Sequence, residues 1–504
     1  MRDSKKSVAE SSRPPRIRDG NESFARHSIY YFIGRLMTGL IGLVSLIAFT
    51  RVLSPVDYGR YAVIIAIAGL IAGVGFQWLR QCLVRFGTQV YHLRQFLLGT
   101  LGALFASLMM VTIAVAATLM LLNGTLHFKL SNMQIVVICC LTWAQAWFEL
   151  VADAARTEFK PWRYSSATLL RALLTLVFGV TAAVLTHDVL IVVLGMVVAY
   201  LLASTVVTPC WMSGLLRIDL ATWLEIRRLM TYGLPLAATL GLQFILDSID
   251  RLMLAGMRGY TEAGVYSSAY NLAQFSIGTL LSSLSLASLP FAVRAFQAGN
   301  KKYTAELLGR NAIYGIGIGL PAVIGLVIIA PSLDSLLLGN FVAGKSGFVT
   351  IIIAVAIGLA AFRSYCLDIV FMLHQRTLVQ AAVVGASAIL NIILNVLFIP
   401  HWGAIGSALA SLVAFVLAFI SSLLLSRRLL KIHIPARDLT KILAATALMV
   451  LVLIMVMSDR GNWIRLVLAI VCSTGVYGIT LALLDVAGIR ARLLAIVRSQ
   501  STKG

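Results

Sequence analysis

Three of the arginines inside long apolar runs form a candidate site, because a charged side chain there is costly unless it has a partner or a function. They are Arg35, Arg171 and Arg363. Read as helices, the runs place Arg35 and Arg171 about 10 Å from the same side, at 1.5 Å per residue. Arg363 enters from the opposite side but falls in the same half. Because a guanidinium matches phosphate oxygens in geometry and charge, the three are predicted to bind a phosphate or diphosphate.

Three acidic residues offer a different explanation for the same arginines. Glu149 or Asp153 could neutralise Arg35 or Arg171, and Asp368 could neutralise Arg363. Both uses are compatible if the carboxylates release the arginines when an anionic ligand arrives.

A second kind of chemistry is indicated by Asp247, which lies deep in its apolar run. A buried carboxylate can take up H⁺ or Na⁺, so Asp247 is a candidate for ion coupling, with a salt bridge to Arg251 as the alternative. For Asp250, one helical turn further on, we expect the salt bridge to Arg251. Apart from such an ion, the sequence predicts no cofactor and no metal site.

Uncharged polar side chains recur at helical spacing on the same runs, which places them on single helix faces. We expect these faces to line a wet cavity and to contact a sugar. The two tyrosines could stack on sugar rings, although aromatic packing is the ordinary role of such residues. The set comprises Gln145, Gln243, Tyr266, Tyr270, Gln274, Asn391 and Asn395.

The elements that must position these residues are membrane helices. The 504 residues are 60% hydrophobic and 12% charged, whereas soluble domains contain about 25% charged residues. Mean hydropathy is +0.92, and most apolar runs exceed the roughly 20 residues that cross a bilayer. The sequence therefore predicts an all-α membrane protein with about fourteen spans: 28–52, 57–79, 96–123, 133–153, 164–186, 188–212, 231–252, 263–295, 309–338, 347–374, 377–399, 403–426, 441–458 and 462–486.

The distribution of basic residues predicts which side each loop occupies. Most of the 41 Lys and Arg residues fall in alternate loops and in both tails, so the positive-inside rule places both termini in the cytoplasm. The net charge of +21 is then explained by topology and lipid headgroups rather than by nucleic acid. The predicted division is a disordered basic tail (1–27), a first lobe (28–212), a linker (213–230), a second lobe (231–426), a basic loop (427–440), two further spans (441–486) and a tail (487–504).

A short repeat divides the chain into two similar units. Asp57, Gly59 and Tyr61 reappear in the same spacing as Glu262, Gly264 and Tyr266, each set between two apolar runs. The polar faces occupy corresponding spans of both units. This arrangement favours two pseudo-symmetric six-helix lobes that face each other across a central cavity; the alternative is a set of unrelated packing faces. The repeated stretch is predicted to form an outer turn between two helices, with glycines that permit tight turns and acidic residues just before the next helix.

Three stretches carry a family resemblance: Thr50–Tyr61, Asp250–Tyr266 and Asn391–Ala408. In their order and spacing the chain resembles, over about residues 28–426, the Wzx-type polysaccharide or O-antigen repeat-unit flippases. These belong to the multidrug/oligosaccharidyl-lipid/polysaccharide exporter superfamily. The last two spans match in number more than in motif.

The resemblance implies a V-shaped, multi-pass transporter of the bacterial inner membrane, not an enzyme. Its expected substrate is an oligosaccharide repeat unit on undecaprenyl diphosphate, moved from the cytoplasmic to the periplasmic leaflet by alternating access. An ion gradient or the membrane potential is expected to drive this secondary transport. The product would serve exopolysaccharide, capsule or lipopolysaccharide O-antigen synthesis, with a polymerase and a chain-length regulator as expected partners.

Other functions remain open at this point. A lipid II flippase or a drug or ion antiporter of the same superfamily would have the same fold, although three arginines in the cavity disfavour an exporter of organic cations. A membrane polymerase or ligase would normally need a large periplasmic loop, and the predicted outer loops are short.

Overall fold

The computed structural model describes residues 17–87, 91–126, 131–157, 161–207, 215, 217, 222–337, 346–432, 435–457 and 463–486. Throughout these segments the regular secondary structure is helical, in agreement with the predicted all-α class.

Two groups of helices form the lobes, and two more helices follow. The first lobe contains α1 (Ile17–Val52), α2 (Pro55–Ile71), α3 (Gln77–Phe86), α4 (Tyr91–Leu126), α5 (Asn132–Thr157), α6 (Pro161–Thr186) and α7 (Val189–Thr205). The second lobe contains α8 (Trp223–Met257), α9 (Tyr260–Ala273), α10 (Thr279–Gln297), α11 (Lys301–Leu337), α12 (Ser346–Phe362), α13 (Ile369–Leu373) and α14 (Thr377–Leu429). The final pair is α15 (Ala436–Val456) and α16 (Trp463–Leu483).

Every predicted span coincides with a helix, and ten helices of the described chain are long and apolar enough to cross a bilayer. The predicted spans 377–399 and 403–426 both lie in α14. The chain bends between them at Gly403, whose φ of 55° is not helical. Other boundaries differ: α1 begins at Ile17, inside the segment expected to be disordered, and α8 begins at Trp223, inside the expected linker. The total of fourteen spans and the cytoplasmic location of both termini stay predictions.

Three π-helical turns interrupt the spans in the part of the chain that the structure describes. Those at Ala72–Phe76 and Gln274–Gly278 occupy corresponding places in the second span of each lobe. The third, Arg363–Leu367, contains the buried arginine of the second lobe. π turns depart from the regular hydrogen-bond pattern of an α-helix and often occur at functional sites. Here they lie in spans that carry the polar faces.

Each lobe has its own apolar core, and the first two spans of each lobe also pack on those of the other. Glycines permit this close packing. A Cβ at Gly73 of the first lobe would lie 2.3 Å from the Phe244 ring, and one at Gly233 of α8 would lie 2.2 Å from the Trp78 ring. The final pair, α15 and α16, packs against α11, where the Tyr477 hydroxyl donates to the Gly317 carbonyl.

The repeated stretches lie where the two lobes touch. A Cβ at Gly59 would lie 1.8 Å from the Tyr260 carbonyl oxygen, and one at Gly264 would lie 3.1 Å from the Pro55 carbonyl oxygen. Both glycines are inside helices, so the expectation of tight turns at these positions is wrong. The two glycines are required because the backbones of α2 and α9 are in contact there, which leaves no room for a side chain.

The acidic residues of the repeat lie in the first turns of α2 and α9, not before them. The Asp57 backbone N–H donates to the Ser54 side chain, which caps α2. Glu262 instead accepts a 2.8 Å hydrogen bond from the Ala404 backbone N–H, beside the Gly403 bend. The two copies of the motif therefore have different local partners.

Candidate functional site

The first lobe contains a charge network centred on Arg80 of α3. Its Nε lies 2.8 Å from Asp153 Oδ2, and its Nη1 contacts Glu149 and donates to Gln77 Oε1 at 2.6 Å. Arg156 lies 3.1 Å from the other oxygen of Asp153. Two carboxylates are thus balanced by two guanidiniums inside the membrane helices.

This network corrects the expected pairing, in which Glu149 or Asp153 neutralised Arg35 or Arg171. The predicted span 57–79 ends just before Arg80, yet the helix continues to Phe86. Gln77 and Arg80, at positions i and i+3, lie on one face of their helix, as Glu149 and Asp153 do on α5. This spacing is the sequence signal that could have indicated the pairing of the two faces. Gln145, expected to face a sugar, donates to Glu149 at 3.3 Å.

Arg35 lies where the two lobes meet. Its Nε donates to the Ser282 hydroxyl of α10 at 2.9 Å, and the side chain is otherwise exposed. Among the described residues, Arg35 has no carboxylate at ion-pair distance. A charge with this exposure at the lobe interface remains able to accept an anionic ligand.

Arg171 is held within the first lobe by aromatic rings. Its guanidinium lies 5.6 Å from the Phe148 ring centroid and 5.1 Å from that of Tyr200, and it donates to the Tyr200 hydroxyl at 3.1 Å. These cation–π contacts stabilise the charge without neutralising it. Arg35 and Arg171 have separate partners in this conformation, so their joint binding of a diphosphate stays a prediction.

Arg363 begins a chain of polar contacts across the second lobe. It is 1% exposed and lies 3.2 Å from Asp368, the ion pair that was the alternative to ligand binding. It also donates to Gln243 Oε1 at 3.2 Å. The Gln243 amide in turn donates to both oxygens of Asp247, at 3.0 and 3.1 Å, and the Tyr270 hydroxyl contacts Asp247 at 3.4 Å.

The second aspartate of α8, Asp250, has different surroundings. It is fully buried and accepts hydrogen bonds from Tyr266 at 2.6 Å, Ser411 at 2.8 Å and Asn395 at 2.5 Å. Asn391 extends the cluster through Asn395. No basic side chain of the described residues lies at ion-pair distance from Asp250, so its charge is hydrogen-bonded but not compensated.

The expected salt bridge between Asp250 and Arg251 is wrong. Arg251 instead donates to Asn271 Oδ1 at 3.2 Å and lies 4.7 Å from the Tyr270 ring centroid. Adjacent residues of a helix point about 100° apart, so they do not face each other. The sequence identified Asn391 and Asn395 but missed Ser411, because that span carries no ionisable residue.

The two tyrosines expected to stack on sugar rings belong to the core of the second lobe. Tyr266 is fully buried and Tyr270 is 6% exposed. Their hydroxyls face the carboxylates of α8, and Arg251 covers the Tyr270 ring. In this conformation aromatic packing is therefore their role, whereas Gln274, in the π turn, is exposed.

The Asp250 cluster has the chemistry of a small cation site. The carboxylate, the amide oxygens and the hydroxyls are hard oxygen donors, and the buried Asn395 Oδ1 accepts no hydrogen bond. The Ser407 hydroxyl of the same lobe is likewise buried without a partner. A charge buried in this way is costly unless a proton or a cation neutralises it.

Comparisons with known proteins agree with this architecture. Over 91% of its length the chain superposes on 99% of a solved structure, the lipid II flippase MurJ in an inward closed conformation, with a TM-score of 0.70 and 14% identity. It also superposes over 81% of its length on 95% of an outward-facing multidrug resistance MATE family transporter of the MOP superfamily, with a TM-score of 0.56 and 15% identity. At these identities the likeness concerns the fold.

Sequence comparison gives a partial relative. A probable lipid II flippase MurJ of Rhizobium meliloti (strain 1021) is 27% identical over 194 residues, which are 38% of this chain and 36% of the relative. The chain therefore matches only about a third of that protein's length.

The apolar helices are those of a multi-pass membrane protein, and the fold is similar to that of the solved MurJ and MATE family structures. Residues 24–296, more than half of the chain, match the polysaccharide biosynthesis protein family. The chain belongs to that family.

Proposed function

We propose that this protein is a flippase that moves an oligosaccharide repeat unit, linked to undecaprenyl diphosphate, from the cytoplasmic to the periplasmic leaflet. Membership of the polysaccharide biosynthesis family is the observation that carries the substrate class. The proposed product is a repeat unit for exopolysaccharide, capsule or O-antigen synthesis. A polymerase and a chain-length regulator would act on it next.

Alternating access is the proposed mechanism. The lobes meet through helices that carry an exposed arginine, Arg35, and a hydroxyl partner, Ser282, from the other lobe. When the lobes separate, this hydrogen bond breaks and Arg35 becomes available to a diphosphate. Arg171, with no carboxylate at ion-pair distance in the described chain, is proposed to add a second positive charge from the first lobe.

Arg363 is the third proposed diphosphate ligand, and its release requires that Asp368 be held by other groups. Ser422 donates to Asp368 at 2.8 Å and Gln380 at 3.4 Å. These donors would keep the carboxylate hydrogen-bonded when Arg363 turns to substrate.

Uptake of H⁺ or Na⁺ by the second lobe is proposed to supply the driving force. We assign the binding to Asp250 rather than to the sequence candidate Asp247. Asp247 faces the Gln243 amide within the chain of contacts from Arg363, whereas Asp250 lies beside two hydroxyls and beside Asn395, whose buried Oδ1 accepts no hydrogen bond.

The test is a deletion strain in which lipid-linked repeat units are assayed for exposure at the periplasmic leaflet. Loss of exposure, restored by the wild-type chain at equal protein level, is expected. Unchanged exposure without the protein would refute the proposal. The double variant Arg171→Ala with Arg363→Ala tests the diphosphate site, and normal export at normal protein level would remove that site from the mechanism.

A lipid II flippase is the second candidate, favoured by the partial relative of Rhizobium meliloti. Expression in a strain depleted of its own lipid II flippase separates the two functions. Rescue of growth would assign lipid II as substrate, and rescue of polymer export alone would assign the repeat unit.

A further inference from the structure

The second lobe encloses a cavity that the transport proposal does not use. Its volume is about 440 Å³, within the range of roughly 300–1,000 Å³ that is typical of ligand pockets. It lies between α10, α11, α12 and α14, outside the contacts between the lobes. Leu281 of α10 lines it, while the next residue, Ser282, faces Arg35 of the first lobe.

The cavity walls are apolar over almost their whole extent. Gly315 and Gly319 of α11 and Gly358 of α12 line the cavity, and Phe362 and Phe419 form part of its walls. The interior therefore suits a flexible hydrocarbon chain.

Polar residues line only one end of the cavity. They are Ser426 and Arg427, at the end of α14 that is predicted to face the cytoplasm. Arg427 is exposed, and no carboxylate of the described chain lies at ion-pair distance from it. The cavity is apolar with a cationic residue at one end, and a phospholipid is divided in the same way into apolar chains and an anionic headgroup.

We propose that this cavity binds one acyl chain of an anionic phospholipid from the cytoplasmic leaflet, with its phosphate at Arg427. Anionic lipids are concentrated in that leaflet and are attracted to basic segments next to the membrane. The predicted topology places the cavity in the cytoplasmic half of the bilayer, where the hydrocarbon is about 15 Å deep. The eleven-unit prenyl tail of the proposed transport substrate is much longer than this, so a phospholipid is the better fit. The proposal does not depend on the transported substrate.

The site also predicts an effect on the lobe interface. Because α10 separates the cavity from the Arg35–Ser282 contact, an acyl chain that packs on Leu281 supports the helix that makes this contact. A ligand that binds the folded state stabilises it by mass action. Phosphatidylglycerol is therefore expected to raise the melting temperature of the purified protein more than phosphatidylcholine does.

The test uses the full chain in phosphatidylcholine nanodiscs that contain phosphatidylglycerol with a photoreactive group in one acyl chain. Labelled peptides are mapped by mass spectrometry. Peptides of α11, α12 and α14 that line the cavity are expected to be labelled. Leu423→Trp, which fills the cavity, should remove this labelling, whereas Leu424→Trp, its exposed neighbour outside the cavity, should retain it.

The headgroup contact is tested with a second matched pair. Arg427→Gln should reduce the preference for phosphatidylglycerol over phosphatidylcholine by about fivefold, since one basic residue at the membrane surface contributes about 1 kcal/mol. Arg428→Gln, which is equally exposed and does not line the cavity, should leave the preference unchanged. These variants change only surface charge, so they keep the test valid if Leu423→Trp does not fold.

Three results would overturn the proposal. The first is labelling that Leu423→Trp and Leu424→Trp affect equally, which would indicate general contact with the bilayer. The second is an equal effect of Arg427→Gln and Arg428→Gln. The third is displacement of the label by undecaprenyl phosphate at lower concentration than by phosphatidylglycerol, which would assign the cavity to a prenyl chain.

Discussion

The two lobes hold their most buried carboxylates in opposite ways. In the first lobe, Asp153 lies between Arg80 and Arg156, with Glu149 on the other side of Arg80. In the second lobe, Asp250 is surrounded by hydroxyl and amide groups, and no basic side chain of the described residues is at ion-pair distance. The difference suggests a division of roles: a compensated network that fixes helices α3 and α5, and an uncompensated charge that can bind a cation.

The largest expected effect is on stability in the first lobe. Arg80→Leu leaves Glu149 unpaired and Asp153 with Arg156 alone, and should destabilise the protein by about 3 kcal/mol, because breaking a buried pair exposes the remaining charge to an apolar environment. Thermal unfolding of the purified protein measures this change. A melting temperature equal to that of the wild type would show that the network is not structural.

The contact between the lobes gives the next effect. Gly59→Ala places a Cβ where the Tyr260 carbonyl oxygen now lies, and the resulting overpacking should cost about 2 kcal/mol. Gly256→Ala is the matched control, because no atom lies within 4 Å of a Cβ at that helical position. Chemical cross-linking between α2 and α9 should decrease in Gly59→Ala only. Equal cross-linking in both variants would contradict the close approach of the two copies of the motif.

In the second lobe, removal of the charge should affect transport and not stability. Asp250→Asn is expected to lower the rate of repeat-unit export at least about tenfold, which corresponds to 1.4 kcal/mol, without a loss of thermal stability. The substitution removes a buried charge that has no counter-ion. Unlike the loss of one partner of an ion pair, it leaves no other charge buried and unpaired.

Thermal unfolding in sodium chloride and in choline chloride identifies the cation. If sodium is the coupling ion, it should raise the melting temperature of the wild type and have no effect on Asp250→Asn. Equal sodium effects on both proteins would exclude Asp250 as the sodium ligand. Wild-type export by Asp250→Asn would exclude it from coupling altogether.

The smallest change in stability is expected at a partly exposed ion pair, which serves as a reference for the other three predictions. Arg60 lies 3.4 Å from Asp57, and both side chains are partly exposed. Arg60→Gln should change stability by less than about 1 kcal/mol. A loss comparable to that of Arg80→Leu would indicate that Arg60 acts through Tyr260 of the other lobe, whose ring centroid is 5.6 Å away.

The apolar runs predicted the helices well because a bilayer requires both length and a satisfied backbone. Helix ends were harder to predict, because the ends of apolar runs mark the hydrocarbon boundary and not the end of the helix. Arg80 is an example: it follows the apolar run, yet its helix continues to Phe86 and carries it to Glu149 and Asp153.

The sequence by itself identified several of the buried polar side chains. Arg363, Asn391 and Asn395 lie in apolar runs and are buried in the structure, whereas Arg35 and Gln274 are exposed. It also determined the two-fold repeat, because the same motif precedes corresponding spans.

Only the tertiary structure decided which groups pair. Asp250 is adjacent to Arg251 in the chain, but their side chains leave the helix in different directions, so Asp250 meets Tyr266, Asn395 and Ser411 from other helices. Hydrogen bonds and ion pairs depend on distances of about 3 Å, and the packing of helices remote in sequence sets those distances. For this reason the sequence identified the buried charges, while the fold determined which are compensated.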